Sequence, residues 1–243
     1  MNLIKADHDR RIEIPGVPGL VRRPVDIDQS RTGFKALRTL RIYRFDADSV
    51  VNGHAEEDEV FIVVIAGSVE LTMTSDNWAN SQRHFKLAAA SDSDKTPCAA
   101  YLPPHATYQL IPRGEADIAY ARATPLGGRP PEVFTPQFRS IEAGVTLLLD
   151  ETTYAERLRF RLVQIDAQQN EVALSLINEL EAKSEALLHV RTMPGGRSAT
   201  ITGTDAAPTL LDPWDTVAVP PGSSPTLHIA MGSSALAFLV LAE

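Results

Sequence analysis

Cysteine is nearly missing from this chain. Cys98 stands alone, so no internal disulfide and no cysteine-built metal site can form. A lone thiol fits a reducing compartment, and a cytoplasmic location is the expectation. Positive charge is also scarce: 23 Lys and Arg face 31 Asp and Glu, for a net charge of -8. Phosphate binding calls for clustered cations, so nucleic acid is excluded as a partner. No apolar run approaches the roughly 20 residues that a bilayer-spanning helix needs, and Met1 to Arg11 hold no apolar signal core. A membrane is excluded as a partner on the same ground.

What is present is β-rich. The 243 residues, 44% hydrophobic and 22% charged, suit a soluble globular protein of one large β domain or two domains of about 100 residues each. Pro15, Pro18 and Pro24 exclude a long helix near the start. An arm with one or two short strands is expected there, able to lend itself to a neighbouring sheet or subunit. Leu40, Ile42 and Phe45 mark the apolar side of a half-buried strand over 36–45. Residues 68–73 alternate with period two, and Gly67 before them reads as a tight turn or bulge. Residues 74–96 read as a polar loop or a pair of weak strands, which Trp78 and Phe85 are expected to tack down. Strands follow at 98–102, 105–111 and 116–123, and again at 145–149 and 158–165. The segment 171–185 is rich in Leu, Ala, Glu and Lys and is compatible with helix, but an internal repeat places part of it in a strand position.

The chain centres on Asn52-Gly-His-Ala-Glu-Glu-Asp-Glu-Val-Phe-Ile-Val-Val-Ile-Ala-Gly67, a polar cluster running straight into an apolar strand. Its second half has a counterpart from Glu185 to Gly195. Arg41 to Ala47 likewise resembles Phe160 to Ala167, and Ala100-Tyr-Leu-Pro-Pro-His105 resembles Ala218-Val-Pro-Pro-Gly222. Between the copies, residues 124–140 carry Pro125, Gly127, Gly128, Pro130, Pro131 and Pro136. Two all-β modules result: 1–123 as arm and first barrel, 124–140 as linker, and 141–243 as a second, degenerate barrel.

A polar segment, then Glu, an apolar strand and Gly, followed later by a proline turn and another strand, resembles the cupin fold, a small jelly-roll-like barrel. The chain resembles a bicupin over nearly its whole length. Its Glu59 to Gly67 spacing, and its Tyr-Leu-Pro-Pro run leading to an Ala-Arg-Ala strand, look most like the 5-deoxy-glucuronate isomerase family of inositol catabolism. The resemblance implies a divalent transition metal (Mn, Fe, Ni or Zn) held by His-x-His, a later Glu and a still later His. On this chain those positions fall on Asn52, His54, Glu59 and Tyr108, so His54 and Glu59 are the expected metal ligands. His105 lies three residues early, on the opposite facing. The second module places Asn178, Leu180, Glu185 and Pro225 at the same positions. The family pattern would set the metal there, with several histidines that this sequence lacks.

The resemblance implies an aldose–ketose isomerisation of a sugar acid, with Glu59 as base or ligand and Tyr108 or His105 as its polar partner. It also implies a homodimer, by analogy. The alternative is a metal-free, degenerate bicupin that binds a small molecule or serves in assembly without catalysis. A metal-dependent dioxygenase is a further reading, disfavoured because two ligands are few for iron. The plainer readings remain open residue by residue. Glu56, Glu57 and Asp58 read as a solvated acidic face, and His189 and His228 as hydrogen-bonded core or rim residues. Cys98 reads as a small buried residue. The alternating Arg41, Arg44, Arg157, Arg159 and Arg161 read as outer-face charges, any inward one being able to grip a carboxylate.

Overall fold

The structure is a computed structural model. It describes the chain apart from residues 48, 76–81, 92–94, 152–153, 156, 179–180, 193–198 and 204–206. Trp78, Leu180 and Gly195, named above, lie outside the described residues.

The chain is all-β with little helix. Its first half runs through β1 (Asn2–Ile4), β2 (Arg11–Ile12), β3 (Val21–Asp28), the one-turn α1 (Gln29–Thr32), β4 (Leu37–Phe45), β5 (Val51–His54), β6 (Glu59–Ala66), β7 (Ser68–Thr74), β8 (Gln82–Ala88), β9 (Ala99–Leu102), β10 (Thr107–Pro112) and β11 (Ala116–Ala123). Its second half runs through β12 (Glu132–Phe134), β13 (Arg139–Glu142), β14 (Val145–Glu151), β15 (Arg159–Asp166), β16 (Val172–Ser175), β17 (Glu185–Thr192), β18 (Ala199–Thr202), β19 (Thr209–Leu211), β20 (Thr216–Val219), β21 (Thr226–Ile229) and β22 (Ser234–Ala242). The segment 171–185 therefore holds β16 and the first residue of β17, with no helix among its described residues. No helix among the described residues is long and apolar enough to cross a membrane.

Each half builds one seven-stranded and one four-stranded sheet, in the orders β12-β9-β6-β11-β4-β3-β2 with β5-β10-β7-β8, and β1-β20-β17-β22-β15-β14-β13 with β16-β21-β18-β19. Place for place, β4 to β11 correspond to β15 to β22. The outermost strands are exchanged. β1 opens the chain but pairs with β20 of the second half, Leu3 opposite Val217. β12 lies within the proline-rich stretch but pairs with β9 of the first half, Val133 opposite Ala100.

Three hydrophobic cores follow from this layering. One fills the first barrel, with Val60, Ile62, Val64, Val69, Leu71 and Leu110 among its members. One fills the second barrel with Val, Leu, Ile and Ala. The third joins the two halves, packing Leu40, Ile42, Phe61 and Val63 against Leu162, Leu187, Phe238 and Val240. β6 therefore faces a core on both sides: Val60, Ile62 and Val64 point into the barrel, and Phe61, Val63 and Ile65 point to the other half. Burial on both faces is why this strand is uniformly apolar and does not alternate. Gly67 ends it at φ 76°, where an added Cβ would strike the Glu115 carbonyl.

Candidate functional site

The alternation of β4 decides what lines the first barrel. Leu40 and Ile42 turn to the core between the halves, so Thr39, Arg41, Tyr43 and Phe45 turn inward. On the neighbouring β11, Tyr120 sits opposite Arg41 and Arg122 opposite Thr39, and both face the same space. A register shift between Arg22 and Val25 puts Arg23 of β3 at a bulge, and it reaches the same place. β10 contributes Tyr108. The edge strand β5 contributes Val51, Asn52 and His54, and residues 12–15 of the arm close one side. The result is a cavity of about 280 Å³ with three arginines and three tyrosines in its wall, at the small end of ligand-cavity sizes.

The tyrosines form a connected group. Tyr43 meets Tyr120 edge-on at 5.3 Å, Tyr108 lies 6.1 Å from Tyr120, and the Arg23 guanidinium stands 5.8 Å over the Tyr43 ring. Tyr108 can lie there because its cross-strand neighbour is Gly53, where a Cβ would land on the tyrosine ring. Burial pushes the Tyr108 hydroxyl up to about 12 and raises that of Tyr120 well above its ordinary value. Both phenols stay protonated at neutral pH and act as hydrogen-bond donors. The guanidiniums are held from behind. Asp26 accepts from Arg41 Nε at 3.0 Å and pairs with Arg23 at 2.8 Å and Arg10 at 2.5 Å. Arg122 pairs with the buried Asp58 at 3.3 Å and with Glu56 at 3.4 Å. Burial raises the Asp58 carboxyl, and the charges of Arg122 and Arg38 oppose that rise.

Of the residues expected from sequence, Tyr108 and His54 meet at this cavity, Tyr108 in its wall and His54 at its rim. The His54 side chain is 61% exposed and lies 3.9 Å from Glu56. Asn52 and His54 also lie on the outer face of the four-stranded sheet. There they head two polar rows, Asn52-Gln109-Thr72-His84 and His54-Thr107-Thr74-Gln82, along a shallow groove of about 490 Å³. Glu59 requires correction as an expected base and metal ligand. It has the parity of Phe61 and Val63, so it points away from the barrel and is fully buried between the halves. There it accepts bonds from Tyr101 Oη at 3.2 Å, from the Arg157 N–H at 3.2 Å and from the Leu158 N–H. His105 also requires correction. It sits in an exposed turn at φ 65°, 3.7 Å from Glu57, outside the cavity wall.

Among its described residues the second module offers no alternative metal site. The Glu185 carboxylate accepts the N–H groups of Lys35, Ala36 and Leu37 at 2.6, 2.8 and 2.8 Å. His189 is fully buried, its Nδ1 3.0 Å from Thr216 Oγ1, and burial, aided by Arg191, lowers its pKa to about 3. His228 faces outward on Thr202 and Glu171. Burial pushes the Cys98 thiol up to about 12, where it is inert. Among the described residues no group of three His, Cys, Asp or Glu side chains converges as a metal site demands. The metal of the expected motif therefore does not fit the donors present, because its histidine and its carboxylate face different compartments.

Arg23, Thr39, Tyr43, Tyr120 and Arg122 were not singled out from sequence. For all but Arg23, which sits at the β3 bulge, the signal is the paired alternation Thr39-Leu-Arg-Ile-Tyr43 and Tyr120-Ala-Arg122 on adjacent strands. It is legible once the apolar side is known to face the other module. Arg41 is the one alternating arginine of the five that turns into this cavity.

A family model described as the KduI/IolB family matches residues 21–144, which contain every cavity residue except those of the arm. The chain belongs to the KduI/IolB family. It is a bicupin of the sugar-acid isomerase type, the 5-deoxy-glucuronate isomerase family that the sequence resembles. Nothing among the curated proteins matches it. Solved structures share the fold. An IolB-like protein from Salmonella typhimurium LT2 aligns with a TM-score of 0.72 at 14% identity, over 99% of this chain and 92% of that one. Protein YlbA from E. coli aligns at 0.66 and 10% identity, over 98% and 89%. A formate complex of Lactobacillus farciminis oxalate decarboxylase aligns at 0.71 and 8% identity, over 99% and 86%.

Proposed function

We propose that this chain acts on a sugar acid at the first-barrel cavity, interconverting an aldose and a ketose. The observation that carries the reading is the set of three guanidiniums and three phenols around one small cavity, inside the segment that matches the family. Guanidinium is the side chain best shaped for a carboxylate. Isomerisation needs a group that takes the proton next to the carbonyl and donors that hold the charge developing on oxygen. His54 stands at the rim, and histidine is the residue type suited to proton transfer near neutral pH. Tyr108 and Tyr120, kept protonated by burial, would donate to the enediolate oxygens.

Incubating the purified protein with uronate-type sugars and following the ¹H NMR spectrum tests this. Turnover that falls at least tenfold in His54→Ala and Tyr108→Phe is expected, and turnover unchanged in both overturns it. A second reading, binding without catalysis, is favoured by the incomplete metal donor set, and saturable binding with no turnover would establish it. By analogy with cupin relatives we place the protein in the cytoplasm as a homodimer, which sedimentation tests by mass.

A further inference from the structure

Four buried polar atoms on residues of the first-barrel cavity wall lack a well-angled protein partner: Arg23 Nε, Thr39 Oγ1, Tyr120 Oη and Arg122 Nε, the last of which stands 3.3 Å from the Asp58 carboxylate. Buried polar groups are nearly always satisfied, and an orphan carries an uncompensated desolvation cost. Arg122 aside, the other three come from different strands, β3, β4 and β11, yet their residues line one cavity. Tyr120 is only 7% exposed, and its hydroxyl lies within reach of that of Tyr108, so it can turn its proton toward that oxygen or toward a ligand. Groups left unsatisfied around one cavity are what a site built for a ligand leaves behind.

We propose that Arg23, Thr39 and Tyr120 form a metal-independent seat for the carboxylate of a polyhydroxylated acid. The seat supplies one cationic donor and two hydroxyl donors, which match the lone pairs of a carboxylate. The Asp26 carboxylate behind Arg23 fixes the guanidinium without occupying its Nε. Tyr43 beneath the same guanidinium limits its swing. A cupin barrel that would otherwise anchor its ligand on a metal here offers fixed protein donors. The inference rests on the reading of this cavity as the ligand site.

Calorimetric titration of EDTA-treated protein with D-glucuronate and with neutral D-glucose tests it, alongside Tyr120→Phe and Thr39→Val. The expected result is saturable glucuronate binding, unchanged by added Mn, Fe, Ni or Zn and at least tenfold tighter than glucose. Each variant should weaken glucuronate at least tenfold while its apo melting temperature equals or exceeds that of the parent, since the substitution removes an orphaned polar group. Binding that requires a metal overturns the seat, as does glucuronate affinity unmoved by both variants. If His54→Ala and Tyr108→Phe also leave glucuronate binding unmoved, the cavity itself is not the site, and the broader reading fails with the seat.

Discussion

Tyr108 is where sequence and structure meet most closely. The strand pattern set it at the position of a lost ligand, and the structure sets its ring over Gly53 and its hydroxyl beside Tyr120. Gly53→Ala is expected to displace the ring, cost about 1–3 kcal/mol by overpacking and weaken ligand binding as much as Tyr108→Phe does. Parallel melting curves and titrations of the two variants check this. His189 carries a different prediction. Its folded pKa of about 3 lies below the ordinary value of 6.5, so the unfolded chain binds the proton first. Stability from this residue is complete above about pH 6.5 and drains away as pH falls toward 3, amounting to on the order of 3 kcal/mol by pH 4. His189→Gln removes that titration. The urea midpoint of the variant is therefore expected to fall less than the parent's between pH 7 and pH 4.

At the scale of elements, the repeat anchors Glu59 and Glu185 do the same work in mirror image. Each opens the equivalent strand, β6 or β17, and each caps backbone N–H groups of the other half just ahead of β15 or β4. The repeated glutamate was legible in the sequence, but its role was not. Facing depends on strand parity relative to two different cores, and nothing local distinguishes the barrel side from the module side. The same gap hid Arg23, Tyr120 and Arg122, because polar residues alternating with Leu, Ile or Ala read as solvent-facing. Glu59→Ala strands the Arg157 and Leu158 amides, and its expected cost is on the order of 3 kcal/mol in urea unfolding. Turnover per folded molecule is expected to be unchanged, whereas a metal ligand or base at this position would lose it.

For the whole molecule, the strand order and the two-copy pattern were visible in hydrophobic runs, Gly67 and the proline turns. The exchange of β1 and β12 between halves was not, since edge strands of three residues carry almost no pattern of their own. The consequence is interdependence. A fragment of residues 1–123 would lose β12 from its sheet and expose Leu40, Ile42, Phe61 and Val63, which the full chain buries. It is expected to aggregate or to melt without cooperativity, as gel filtration and thermal unfolding would show. A monomeric fragment with a sharp transition would contradict the packing described. Lys5, paired with Asp212 and Asp215 at 2.7 and 2.8 Å, ties the same exchange at the other end.

The measurement that bears most directly on the function is a crystal structure of the protein with D-glucuronate. The ligand is expected in the first-barrel cavity, its carboxylate on Arg23, Thr39 and Tyr120 and its hydroxyls toward Tyr108 and His54. Ligand density confined to the second barrel or to the outer groove along Thr72 and His84 would contradict the account.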